Sequence, residues 1–84
     1  MNKQFKFQQR IISDTFLNKI ENGSIRNEIL SLMLESYSFR IEHNISQKDY
    51  ARQKELSLIT LKRIELGECY NLILISKYIN NGNI

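Results

Sequence analysis

Residues 45–68, ISQKDYARQKELSLITLKRIELGE, constrain the fold of this chain more than any other stretch, because each helix signal in them falls in register with the next. Ser46 is placed as an N-cap, with Asp49 at the third helical position as an approximate capping box. The helix it opens runs from Gln47 to about Lys54, with Tyr50 and Ala51 inward. A turn follows around Glu55 and Leu56. Ser57 is a second N-cap, and a second helix runs from Leu58 to Leu66 until Gly67 stops it at a C′-type position. Ala51, Leu56, Leu61 and Ile64 close one shared core. Ala51 is small where two helices must approach, and Leu61 and Ile64 sit three apart on one face.

The remainder also reads as helix. There is no proline, and glycine occurs only at Gly23, Gly67 and Gly82. Apolar spacing is three-four, with no sustained alternation to suggest strands. In the first block, residues 3–21, Ile12, Phe16 and Ile20 form a stripe flanked by Phe5 and Leu17. Asn22-Gly23 closes it and Ser24 caps the next block, residues 25–43, whose inward face carries Ile29, Leu30, Met33, Leu34, Tyr37 and Ile41. Asn44 is a left-handed C-cap. Beyond Gly67, Asn71 caps a last helix at 72–79; its run Leu72-Ile73-Leu74-Ile75 also fits a short buried strand, but the Ser-Lys-Tyr that follows favours helix. A segment apolar all round calls for cover on more than one side. The expectation is an all-α single domain, 1–84, with an N-terminal helical extension (1–23), a core (24–80) and a frayed tail. Its helices lie near 3–21, 25–43, 47–54, 58–66 and 72–79, around a core of Leu30, Met33, Leu34, Tyr37, Ile41, Ala51, Leu56, Leu61, Ile64, Leu72 and Ile75.

Composition narrows the function classes. A chain of 84 residues with 42% apolar residues supports one modest core rather than disorder. A net charge of +3 permits a polyanion partner without demanding one. Lys48, Arg52, Lys54, Lys62 and Arg63 fall within 46–67, against Asp49, Glu55 and Glu65. Cys69 is alone, so no disulfide framework exists and it reads as a small buried residue. One Cys and one His, His43, cannot complete a metal site; His43 instead suits a helix C-terminus. No nucleophile–base pair, phosphate-cradling glycine loop or carboxylate dyad points to an enzyme or a cofactor. No signal peptide, lipidation motif or long apolar run appears, so a soluble cytoplasmic protein is expected.

Two short helices joined by a tight turn is helix-turn-helix geometry, in which the second helix lies in the DNA major groove. Phe39-Arg40, Asn44-Ile45-Ser46-Gln47, Ala51, Leu56-Ser57, Thr60-Leu61, Arg63-Ile64-Glu65 and Gly67 resemble the signature of phage-repressor, Cro or XRE-type regulators, without a gap across residues 45–68. The resemblance implies a lambda-repressor-like fold that binds double-stranded DNA and regulates transcription. It places Gln47 on a phosphate, and Ser57 and Thr60 on the backbone at the recognition-helix N-terminus. Lys62 and Arg63 are the groove-side candidates, with Arg63 the base reader because a guanidinium bonds a guanine edge bidentately. The bland alternative for Arg63 is an ion pair with Asp49 or Glu55. Glu65 reads as structural, tying the motif's helices through a hydrogen bond.

Two departures stand out. The family usually has Gly where this chain has Glu55, and a non-Gly residue in a left-handed conformation costs about 1 kcal/mol, so either the turn is slightly strained or its backbone differs. The recognition helix opens with Leu58 and Ile59 instead of polar residues; they face thymine methyls, a protein partner or, in part, the core. The family's domain usually has five helices; counted from the matched segment this chain has four, plus an extra one at the front. The surface a fifth helix would cover falls to the N-terminal helix or to a second subunit. A homodimer is expected, through Phe5, Phe16 and Leu17 at the front and Ile73, Leu74 and Tyr78 at the back. The alternative function is a protein-interaction module on the same fold, an antirepressor or an accessory protein of a mobile element. Leu58, Ile59 and the moderate charge favour it.

Overall fold

The computed structural model describes residues 3–11, 16 and 23–79, without the side chains of 3–5 and 23–27. It contains helices α1 (Lys3–Ile11), α2 (Gly23–Glu42), α3 (Gln47–Gln53), α4 (Leu58–Glu65) and α5 (Leu72–Ile79). No strand occurs among the described residues, so residues 72–79 are helical and the fold is all-α.

Local chemistry sets where these helices stop. α2, α3 and α4 each end in a Schellman turn, with Asn44, Glu55 and Gly67 at φ of 54°, 59° and 72°. In each turn the positive-φ residue donates three positions back and its successor five back: Asn44 N to Ile41 O and Ile45 N to Arg40 O, at 3.1 and 3.0 Å. The same pair runs from Glu55 to Arg52 and Leu56 to Ala51, and from Gly67 to Ile64 and Glu68 to Arg63. Glu55 thus adopts the left-handed conformation in which the family usually has glycine. Gly67 alone meets a second demand. A Cβ there would lie 3.1 Å from both Cβ and the carbonyl oxygen of Arg10, so α1 would have to give by a few tenths of an ångström to admit a side chain.

Starts are equally local. Ser46 Oγ accepts from Asp49 N, and Ser57 Oγ from Thr60 N, both at 3.0 Å. Asn71 Oδ1 accepts from Ile73 N and Leu74 N at 2.9 and 3.1 Å. The Asp49 carboxylate accepts from Arg52 at 3.3 Å. Ser24 does not cap α2, which begins one residue earlier at Gly23.

α2 is the central helix, packed by α1 and by α5. Its deepest line is Met33, Ser36, Tyr37 and Arg40, flanked by the half-buried Ile29, Leu30, Leu34 and Ile41. Ala51, Leu56, Leu61 and Ile64 bury between α3 and α4 as the spacing predicts, joined by Ile75. Of the stripe expected in the first block, Phe16 is buried, and α1 adds two buried residues that the spacing did not mark. Phe7 and Ile11, four apart, are its buried residues, and Phe7 stacks on Tyr37 with ring centroids 4.4 Å apart. Ile12, Leu17 and Ile20 lie outside the described residues, as does residue 21, where the first helix was expected to end.

Phe16 and Tyr78, expected on a partner-facing surface, are fully buried within the chain. Both are core residues: Phe16 packs on Tyr70 and Tyr78 edge-on against Tyr50, with centroids 5.7 Å apart in each pair. The apolar surplus that suggested a partner is therefore partly consumed internally. α5 is not covered all round either, since Ile73 is 72% exposed.

Candidate nucleic-acid interface

The Ser57 cap aims α4 so that Leu61 and Ile64 pack inward and the intervening residues face solvent. Leu58 is 36% and Ile59 65% exposed, and Lys62 and Arg63 lie open in the last turn. Ser57 Oγ donates to Thr60 Oγ1 at 2.8 Å. Lys48 and Arg52 on α3 are exposed on the neighbouring helix. Among the described residues Arg63 forms no ion pair. Asp49 pairs with Arg52 instead, at 3.3 Å, an exposed contact worth little.

Behind this face the five helices α1–α5 meet at the last residue of α4. Arg40 of α2 donates from Nε to Glu65 Oε2 and from Nη2 to Oε1, both at 2.7 Å. Gln47 of α3 donates to Oε1 at 3.0 Å, and the Tyr78 hydroxyl of α5 to Oε2 at 2.7 Å. Arg10 of α1 donates to the Glu65 carbonyl at 3.1 Å. Arg40 and Glu65 are 8% and 3% exposed, so this is a buried bidentate pair with its other lone pairs satisfied. Arg40 Nη1 also donates to the Ile45 carbonyl at 2.9 Å, tying the pair to the Schellman turn after α2. Burial alone would lower the pKa of Arg40, but the hydrogen bond and charge of Glu65 outweigh it and raise it. Burial first, then the Glu65 charge and hydrogen bond, hold the Tyr78 phenol protonated far above its ordinary range.

Gln47, expected on a phosphate, is half-buried with one amide hydrogen spent on Glu65. Glu65 is the structural tie that the sequence suggests, with more partners than expected. Arg10, Arg40 and Tyr78 carry roles the sequence did not signal. Of the residues expected at a dimer surface, Ile73 is exposed and Leu74 half-buried; the Phe5 side chain and Leu17 lie outside the described residues. His43 is exposed, its ring stacked on Phe39. Cys69 is buried. Among the described residues no cluster of His, Cys, Asp and Glu could hold a metal, and no helix is long and apolar enough to cross a membrane.

Comparisons with protein-family models, with curated proteins and with solved structures find no match to this chain.

Proposed function

We propose that this chain is a cytoplasmic DNA-binding regulator of the phage-repressor, Cro or XRE type, reading double-stranded DNA with α4. The observation that carries the proposal is the pairing of α3 and α4 through a tight Schellman turn. It leaves one face of α4 solvent-open and bearing Lys62 and Arg63, while Glu65 anchors the opposite side. A short helix with a rigid base and a free cationic face has the form that major-groove readers use. Arg63 reads a base edge, Lys62 a phosphate, and Ser57 and Thr60 the backbone near the α4 N-terminus, with Leu58 and Ile59 against thymine methyls. Two copies would meet two half-sites about 34–36 Å apart, with Ile73 and Leu74 of α5 as the contact surface. Selection from a randomised duplex pool tests it. Arg63→Ala should cost about 1–3 kcal/mol on the enriched site and relax its sequence preference, while Lys62→Ala weakens all sequences alike. A pool that enriches no sequence would count against base reading.

A second reading, a protein-interaction module on the same fold, is favoured by one observation. Ile59, at the second position of α4, is 65% exposed and carries no hydrogen-bonding group.

A further inference from the structure

We propose that the cleft between the end of α1 and the α3–α4 pair seats a phosphate group, with Arg10 as a phosphate-binding residue. The cleft is about 520 Å3 and is lined by Arg10, Arg40, Gln47, Lys62 and Glu65 among others. Its formal charges are three cations and one carboxylate. That carboxylate is already occupied: both oxygens of Glu65 take two donors each, from Arg40, Gln47 and Tyr78. Arg40 is likewise engaged, by Glu65 and by the Ile45 carbonyl. Among the described residues Arg10 spends only Nη1, on the Glu65 carbonyl, which holds its guanidinium at the cleft with no partner there for Nε and Nη2. Among the described residues neither Arg10 nor Lys62 forms an ion pair. The cleft therefore offers spare donors from three helices (Arg10, the second Gln47 amide hydrogen and Lys62) and an excess of positive charge. An acceptor-only anion satisfies all of them, and a tetrahedral phosphate can accept from several directions at once.

The source of that phosphate rests on the DNA-binding reading. Lys62 belongs to both the cleft and the open face of α4, so a duplex on α4 brings its backbone to Arg10. α1 is then part of the interface as well as a support for α2.

Salt titrations of duplex binding on the full chain test this with Arg10→Gln and Arg10→Lys. The slope of log affinity against log salt should be shallower by about 0.9 in Arg10→Gln, the value of one phosphate contact on duplex DNA. Arg10→Lys should keep the parent slope, which separates charge from the bond to Glu65. A second arm follows the melting temperature with inorganic phosphate, and with acetate at matched ionic strength. Phosphate should stabilise the parent and neither Arg10→Gln nor Lys62→Gln, the latter leaving the Arg10–Glu65 bond untouched; acetate should stabilise none. An unchanged slope in folded Arg10→Gln overturns the assignment, as does equal stabilisation by acetate. If no duplex binds but phosphate still stabilises the parent alone, the cleft stands as a site for a small phosphate ester and the DNA reading fails. Silence in both arms removes both.

Discussion

Arg40 and Glu65, twenty-five residues apart, form a buried bidentate pair with both hydrogen bonds at 2.7 Å, and α1, α3 and α5 each add a donor to Glu65. Removing one member of such a pair strands the other charge out of water. Glu65→Ala should therefore cost about 3–5 kcal/mol, far more than loss of an exposed carboxylate. Urea unfolding measures it. A loss below about 1 kcal/mol, the range of exposed pairs, would show that Glu65 is not the tie between the helices.

Alkaline stability follows from Tyr78, with Tyr37 and Tyr50. All three phenols are raised above their ordinary value of about 10, by burial first, then for Tyr78 and Tyr37 by the Glu65 charge. The folded state holds these protons more tightly than the unfolded chain. Their contribution is fully present below about pH 10 and falls as pH rises through the folded values, because the unfolded state releases protons first. Phenolate absorbance near 295 nm against pH should show Tyr78 ionising only as the helix signal is lost. Ionisation of every tyrosine near pH 10 in a chain that stays helical would contradict it.

Gly67 and Glu55 share a left-handed backbone but not a neighbourhood. Gly67→Ala should destabilise by more than the roughly 1 kcal/mol of a left-handed non-glycine, because the new Cβ also presses on the Arg10 backbone. Glu55→Gly should be neutral or stabilising by up to about 1 kcal/mol, relief of the strain being partly offset by unfolded-state entropy. Chemical denaturation of the two variants side by side decides. A Gly67→Ala variant as stable as the parent would mean that α1 does not pack against the α4 terminus.

Such local features were legible in the sequence. Ser46, Ser57 and Asn71 cap where they stand because a hydroxyl or amide reaches its own helix's first amides whatever packs nearby. Asn44 and Gly67 end helices for equally local reasons. The core between α3 and α4 followed from three-four spacing. What could not be read was pairing across the chain. Nothing local marks Phe7 and Ile11 as buried residues of the first block beside Phe16; for Phe7 it is the stacking on Tyr37, thirty residues away, that does. Tyr78 sat in an apolar run, so its ring suggested a partner surface, whereas its hydroxyl is needed by Glu65. Arg10 and Arg40 gave no sign of their roles, because their partners lie 55 and 25 residues away.

The claim that α4 meets DNA is tested most directly by titrating the full chain with a random-sequence duplex at increasing salt. A DNA-reading protein with several phosphate contacts binds at about 50 mM salt and loses affinity steeply and log-linearly towards about 200 mM, as condensed counterions are released. No affinity for any duplex at about 50 mM salt would contradict the DNA reading and leave the exposed Leu58 and Ile59 to a protein partner.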